Sequence, residues 1–447
     1  MNRKWSWNGA KGIAVTVASV IFPLDEELEL LHGQYTPQIQ EALTRLGSKM
    51  PFAQAVEEIW FGEKIHIEES VLRQTTYRHG QAAEAIERAK VERLETKMTP
   101  ASARPKQILV SADGAFIHLT NGEWREVKTM VVGEFARVWN GKKGEIEVKT
   151  GDISYFSRSY RIREFERYAL AELHRRGVDN AEQVVTVNDG SEWIQSFADY
   201  HLPQAVRILD FRHALDYVVA AGQAVYSENS DAFRRWYQPL PHQLKHKPPQ
   251  CTIAELCLLT TKAESDDQLA IIDHARRYLQ RRAEMIDYPH FQNQGYPIGS
   301  GSVESSHKGV VHSRMKQAGM RWAESHVDPM LTLRNWVCNG RWSEGWSQVA
   351  SYYWQQQRQE FQELGRRQRP TSPPITFADV TVRETPVVKE DLPVVAHKKT
   401  HRLTNRQQTT LGGGTFGRLE KPGAGISLRQ QKIRAPAVFC RPSICSC

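Results

Sequence analysis

The chain has 447 residues, 40% hydrophobic, with twelve tryptophans, which excludes a mainly disordered protein and predicts a large core in two or more domains. The formal net charge is +8, but residues 366–447 hold fifteen Lys and Arg against five Asp and Glu, so the rest of the chain is close to neutral. Any binding of nucleic acid by the folded part must therefore come from local patches. The six cysteines contain no CxxC pair, so neither a zinc ribbon nor a disulfide framework is predicted.

Residues 1–23 contain an apolar run, Gly12–Phe22, that follows Arg3 and Lys4. The run is too short to span a bilayer, and no small-residue cleavage site follows it. We therefore interpret residues 1–23 as a strand-like leader of a cytoplasmic protein. No membrane partner is expected, because no other stretch is long and apolar enough to cross a bilayer.

Residues 24–98 have helical periodicity and form a predicted DNA-binding domain. A helix over Phe52–Trp60, a stop at Gly62 and a polar helix after it follow the order of a helix-turn-helix. We predict that Arg73 and Arg78 on the later helix contact DNA. An ordinary helical hairpin is the alternative.

Strand patterns begin after a Pro-containing linker at residues 98–105. The first three predicted strands form an antiparallel meander through an Asn-Gly hairpin, and two more alternate with helices. The five predicted strands are Ile108–Ala112, Ala115–Thr120, Trp124–Gly133, Val184–Val187 and Val206–Leu209. This order is typical of an α/β fold with a ribonuclease-H-like mixed sheet. We place that domain at residues 106–354, with an all-α insertion at residues 215–290.

Acidic residues follow three of the apolar strands, at Asp113, Asp189 and Asp210. Each could be ordinary turn chemistry, but together they place acids along one edge of a sheet, where α/β active sites lie. A further acid, Glu304, lies in the first turn of a helix for which Ser302 is the predicted N-cap.

Asp113, Asp189 and Glu304 are therefore the predicted metal ligands. Three carboxylates suit Mg²⁺, which takes oxygen ligands and keeps sites for water and phosphate. We expect two ions, with Mn²⁺ able to substitute, and in-line displacement at phosphorus. Asp113 would bridge both ions, and Asp189 and Glu304 would each complete one site.

Basic residues follow Glu304 on the next turns, and a solvated helix face is the alternative explanation for them. We predict that these side chains neutralise phosphate charge. They are Lys308, Arg314, Lys316 and Arg321.

Several strings over residues 24–354 resemble the DDE transposases of bacterial insertion sequences, including their Mutator-like relatives. The most specific is the block from a Gly-Ser-Gly string to an Arg-Trp pair. The matching strings are Ser111–Gly114, Val187–Gly190, Ile208–His213, Pro297–Ser305, Arg314–Trp322 and Asn339–Trp342.

This resemblance implies a ribonuclease-H-like core in which Asp113, Asp189 and Glu304 bind metal. Asp210 and His213 resemble the C/DxxH element of the Mutator-like relatives, which implies that His213 is catalytic and lies near the scissile phosphate. The implied reaction is cleavage at terminal inverted repeats, followed by attack of the freed 3′-hydroxyl on target DNA. A homo-oligomer that pairs two DNA ends, associated with the nucleoid, is also implied.

Two features depart from the family pattern. Relatives carry a Cys-rich piece before the Pro23-Leu24 string, and this chain has no cysteine there, so the start is expected to be truncated or altered. The tail, residues 366–447, matches nothing in the family and is expected to be basic and disordered. The alternatives are a catalytically inactive, truncated transposase that acts as a DNA-binding repressor, and a plain nuclease of the same fold.

Overall fold

A computed structural model describes residues 35–367, except for residues 143 and 228–229. The side chains of residues 145, 302–304, 357, 360–362 and 364–367 are also outside the description. The predicted leader, the start of the predicted DNA-binding domain and the predicted basic tail beyond residue 367 therefore lie outside the described residues. The described part of the chain belongs to one compact unit.

The fold is mixed α/β, as predicted, with a five-stranded sheet in the order β3-β2-β1-β4-β5. β1, β2 and β3 form an antiparallel meander, whereas β4 and β5 run parallel to β1. The strands are β1 Gln107–His118, β2 Trp124–Asn140, β3 Glu145–Arg158, β4 Gln183–Asn188 and β5 Val206–Leu209.

The meander differs from its prediction in which strands it contains. The two short strands predicted on either side of Asp113 and Gly114 are one continuous strand, β1, whose residues pair with β2 from Ile108 to His118. This ladder overrides the turn preference of Asp-Gly, and Gly114 is suited to it because a Cβ there would lie 2.4 Å from the Glu126 Oε1 atom. The third strand is β3, which the sequence analysis did not predict.

Helices flank the sheet. Before β4 they are α1 Pro37–Lys49, α2 Phe52–Glu63, α3 Glu69–Thr96 and α4 Ile162–Arg175. Between β4 and residue 294 they are α5 Glu192–His201, α6 Phe211–Val225, α7 Asp231–Tyr237, α8 Leu240–His246, α9 Pro249–Thr260, α10 Asp266–Arg281 and α11 Tyr288–Gln294. The last group is α12 Gly301–Ser306, a π-helix His307–His312, α13 Ser313–Met315, α14 Val327–Cys338 and α15 Trp342–Arg367.

The two faces of the sheet bury alternate residues of the same strands. Leu109, with β4 and β5, packs against the helices of the insertion. Ile108 and Val110 point the other way and pack against α4 and α5 through Phe165 and Phe197. The period of two in strand side chains thus gives a three-layer arrangement with helices on both faces.

The N-terminal helices share a core with the C-terminal ones. α3 packs against α14 and α15 in a cluster that includes Ala83 of α3, Leu333 of α14 and Val349 of α15. Arg73 of α3 is exposed and pairs with Glu69 at 3.6 Å. Arg78 is half-buried, and its Nη2 atom donates to a glutamine of α1 at 2.7 Å. α3 is therefore largely a packing helix, which leaves Arg73 the more accessible of the two predicted DNA contacts.

His79 is buried where α3 meets α1, with its Nδ1 atom 2.7 Å from the Thr44 hydroxyl. Burial, helped by the charge of Arg78, lowers the pKa of His79 to about 3. Below its ordinary pKa of about 6.5 the unfolded chain binds a proton that the folded chain does not, so the stability due to His79 falls as pH drops from 6.5 toward 3.

We expect the free energy of unfolding to fall by about 1.4 kcal/mol per pH unit below pH 6 on account of His79. Urea denaturation at pH 7, 6 and 5 measures this slope, and His79→Gln should remove the histidine's share. The matched control is His66→Gln, at an exposed histidine, which should keep the wild-type slope. An H79Q slope equal to that of wild type would contradict the assignment.

Candidate active site

Asp113 lies in β1, and Asp189 directly follows β4, the strand that pairs parallel to β1. The parallel pairing reaches Val110 of β1 and Thr186 of β4, three residues before Asp113 and three residues before Asp189. The two strands are also joined at the residues directly before the two acids. There the Ala112 N–H donates to the side-chain oxygen of Asn188, the last residue of β4, at 2.7 Å. Asp113 therefore lies in the middle of β1, at the point where β4 ends, and the sheet brings the two predicted acids to one edge.

Each aspartate is held by a local backbone group. The Gly114 N–H donates to Asp113 Oδ1 at 2.7 Å, and the Ser191 N–H donates to Asp189 Oδ1 at 2.9 Å. The second bond forms where α5 begins, so Asp189 lies beside a helix N-terminus. Both aspartates are half-buried, which leaves the carboxylates partly accessible from solvent.

Gly190 fixes the chain direction after Asp189. Its φ of +77° lies in the left-handed region, and a Cβ would lie 2.5 Å from the Tyr278 hydroxyl and 2.9 Å from a Leu209 methyl carbon. The same Tyr278 hydroxyl donates to the Asp189 carbonyl at 2.8 Å. The glycine lets tyrosine approach the backbone closely and set the position of Asp189.

We expect Gly190→Ala to lower the free energy of unfolding by about 1–3 kcal/mol, because the left-handed backbone and the close tyrosine both oppose a side chain. Chemical denaturation measures the loss. Gly62→Ala is the matched control: Gly62 is in α2 with open space around it, so that change should be neutral or stabilise by up to about 1 kcal/mol. Equal effects at both positions would contradict the proposed role of Gly190.

Glu304 lies in α12, which begins at Gly301, one residue before the predicted N-cap Ser302. Ser302 is therefore inside the helix. α12 packs against β1 and β2, so the helix that carries Glu304 lies beside the strand that carries Asp113. The Glu304 side chain is among those outside the description, so its role as a ligand stays a prediction.

His307 approaches Asp113, and the sequence analysis did not identify it. Its Nδ1 atom is 3.4 Å from Asp113 Oδ2. Burial lowers the pKa of His307, which favours a neutral ring, and its Nε2 atom has no hydrogen-bond partner in the described part of the chain. His307 follows Glu304 by three residues in the sequence, and in a helix this spacing is one of neighbouring side chains; it was the signal that could have revealed His307.

His213 and Asp210 lie on the neighbouring element. Asp210 caps α6, its Oδ1 atom accepting the His213 N–H at 2.9 Å. The His213 ring packs against Tyr217 and Tyr278, with ring centres 5.4 and 6.2 Å apart. Tyr278 contacts the backbone of Asp189, so His213 is one side chain away from that acid. Its proximity to a scissile phosphate stays a prediction.

Of the four basic residues predicted to contact phosphate, three are exposed and one is buried. Lys308, Lys316 and Arg321 are exposed. Arg314 is only 1% exposed, its Nε atom donates to the Gly47 carbonyl at 2.8 Å, and burial lowers its pKa to about 10. The expectation that Arg314 touches phosphate is at odds with this placement, because its guanidinium is buried over the rings of Phe52 and Trp322, 4.6 and 4.9 Å from their centroids.

Whether the residues fit a divalent cation can be judged from the two aspartates. Their carboxylates are hard oxygen donors on adjacent strands, and Asp189 forms no ion pair with Lys or Arg among the described residues. This donor chemistry fits Mg²⁺ or Mn²⁺. No group of three His, Cys, Asp or Glu side chains is arranged as a metal site within the described set, from which the Glu304 side chain is missing.

In comparisons with known proteins, no family model and no curated protein matches the chain. Within residues 35–367, no described helix combines the length and apolar character needed to cross a membrane. A functional conclusion therefore depends on the side chains and strand geometry described above.

Proposed function

We propose that the chain is a DDE transposase of an insertion sequence, with a ribonuclease-H-like catalytic core. The observation that carries this proposal is the parallel pairing of β1 with β4, which ends three residues before both Asp113 and Asp189. The packing of the Glu304 helix against β1 adds to it. Asp113, Asp189 and Glu304 each lie within one of the strings that resemble the family.

The ribonuclease-H-like assignment is supported by the topology. Three antiparallel strands are followed by two parallel ones, and the first strand occupies the centre of the order β3-β2-β1-β4-β5. Helices cover both faces, and a helical insertion separates β5 from the Glu304 helix. This arrangement needs no side-chain evidence, so it supports the fold independently of the acids.

In the proposed reaction Asp113, Asp189 and Glu304 would hold two Mg²⁺ ions. Such ions would supply activation of an attacking water or hydroxyl and neutralisation of charge on the phosphate. Asp113 and Asp189 contribute a fixed spacing, because each lies on or just after a paired strand. His307, with its Nδ1 atom 3.4 Å from Asp113 Oδ2, is the histidine that lies beside this proposed ligand.

DNA is the proposed partner. Lys308, Lys316 and Arg321 are exposed and would contact the phosphate backbone. Arg73, exposed on α3, is a further proposed contact. Pairing of two DNA ends by a homo-oligomer, in association with the nucleoid, completes the proposal.

The test uses purified full-length protein with labelled DNA ends taken from the inverted repeats that flank the gene. With Mg²⁺, the transposase proposal expects cleavage at the repeat end and joining of the new 3′-hydroxyl to a second DNA. Cleavage without joining would favour a plain nuclease. Binding with neither cleavage nor joining would favour a repressor and contradict the proposal.

A further inference from the structure

Three hydrogen bonds join the segments that carry the predicted acids. The Ala112 N–H donates to Asn188 Oδ1 at 2.7 Å, and the Asp210 N–H donates to the Asn188 carbonyl at 2.7 Å. The Ser300 N–H donates to Asp210 Oδ2 at 2.6 Å. Ala112 directly precedes Asp113, Asn188 directly precedes Asp189, and Ser300 lies four residues before Glu304.

The two side chains in this series are buried. Asn188 is 5% and Asp210 is 7% exposed. Asp210 forms no ion pair among the described residues, and both of its carboxylate oxygens accept backbone N–H groups, one from His213 and one from Ser300. A buried carboxylate is costly unless it is hydrogen-bonded, so these two bonds hold Asp210 in place and hold Ser300 against it.

A second contact fixes the same loop. The Phe211 N–H donates to the Ile298 carbonyl at 2.9 Å, and a Cβ at Gly299 would lie 3.9 Å from Asp210 Oδ2. The loop before α12 is thus attached to the start of α6 at two successive points, directly ahead of the Glu304 helix.

We propose that Asn188 and Asp210 are positioning residues that set the spacing of the three catalytic acids. We call the series of hydrogen bonds Ala112–Asn188–Asp210–Ser300 the latch. The catalytic part of this inference rests on the proposed function, because the latch acts through the acids and touches no substrate. Metal-binding side chains need this kind of support, because the residues that contact them hold each side chain in the orientation that the metal requires.

Asp210→Asn breaks the latch at one bond. The amide keeps an oxygen to cap α6 and places an NH₂ group opposite the Ser300 N–H, so donor faces donor. The matched control is Asp287→Asn, the same change at the N-cap of α11, where the carboxylate accepts the His290 N–H. Asp287 has no bond to the loop before α12 among the described contacts.

The first readout needs no metal and no activity. Hydrogen–deuterium exchange of metal-free protein should show about three- to tenfold faster exchange in peptides covering residues 295–301 of D210N. The α6 peptides and the whole of D287N should exchange as wild type does. Wild-type exchange in the 295–301 peptides of a folded D210N would overturn the latch.

The second readout is the metal requirement. The Mg²⁺ concentration for half-maximal cleavage should rise about 10- to 100-fold in D210N and stay unchanged in D287N, whereas a general loss of stability would lower the fraction of active protein without shifting that concentration. If D210N cleaves with the wild-type Mg²⁺ dependence, the positioning role is overturned. If wild type itself does not cleave, the proposed function fails, while the exchange experiment still tests the latch.

A second pair of variants keeps the test decisive if D210N fails to fold. Asn188→Ala removes the acceptor for Ala112, whereas Asn188→Asp keeps an oxygen at that position. Faster exchange in peptides covering residues 110–114 of N188A, restored in N188D, supports the latch. Wild-type exchange in N188A overturns it.

Discussion

Asp189→Ala is expected to reduce both cleavage and joining of inverted-repeat DNA by more than about 100-fold. Substitution of a residue that only hydrogen-bonds to a metal ligand lowers metal affinity or activity by about 10- to 100-fold. Asp189 is proposed as a ligand itself, so its loss should cost more. The substitution removes a half-buried carboxylate whose one recorded acceptor bond, from the Ser191 N–H, is local. The fold should therefore survive, and DNA binding without metal should be near the wild-type value.

Rates of cleavage and joining, measured under single-turnover conditions with Mg²⁺ and again with Mn²⁺, test this expectation. Asp231→Ala is the matched control, because its side chain is 87% exposed on a helix of the insertion; its rates should equal those of wild type. Activity that survives D189A would reject the assignment of Asp189 and, with it, the three-acid site.

Arg334→Met is expected to lower the free energy of unfolding by about 3 kcal/mol or more. Arg334 is buried in α14, and its guanidinium donates to the Val310 carbonyl at 3.1 Å, the Ser48 carbonyl at 3.2 Å and the Ser313 hydroxyl at 2.9 Å; it also donates to the Gly309 carbonyl. Methionine fills similar space but removes the donor to the Val310 and Ser48 carbonyls, and each buried unsatisfied group costs about 1–3 kcal/mol.

Urea denaturation of R334M against wild type measures this loss. Arg277→Met is the control, since Arg277 is exposed and its ion pair to Asp273 is a surface one that is worth less than about 1 kcal/mol. The bonds of Arg334 join α1 to the π-helix that follows Glu304, so we also expect R334M to cleave more slowly at temperatures where it remains folded. A stability within 1 kcal/mol of wild type would contradict the role assigned to Arg334.

Short-range patterns were enough to predict β4 and β5, the strands that end just before Asp189 and Asp210. The boundaries of β5 agree with the prediction, and β4 differs by one residue at each end, because a run of β-branched residues bounded by turn signals identifies a buried strand. Gly177, which follows α4, has a φ of +66°, in the left-handed region where glycine commonly ends a helix. Asp189 and Asp210 could be proposed because their positions just after β4 and β5 are local facts of the sequence.

The same local reasoning failed where pairing partners decide the conformation. Asp113-Gly114 has the composition of a turn, but β2 supplies a partner for every residue and keeps the strand extended. β3 was missed because its pattern is interrupted at Gly151 and Asp152, and its partner strand carries a register shift between Val132 and Glu134. Propensity is weak compared with a complete ladder of hydrogen bonds.

The sequence by itself determined the α/β class and the candidate acids, since hydrophobic period and turn chemistry are encoded in neighbouring residues. Only the tertiary structure decided which polar groups are buried. Arg314 meets the carbonyl of Gly47 across 267 residues, and Asp210 meets the Ser300 N–H across 90. The sequence around a charged residue is the same whether water or a distant backbone group is its hydrogen-bond partner. Only the folded chain, which brings the distant group into contact, shows which of the two it is.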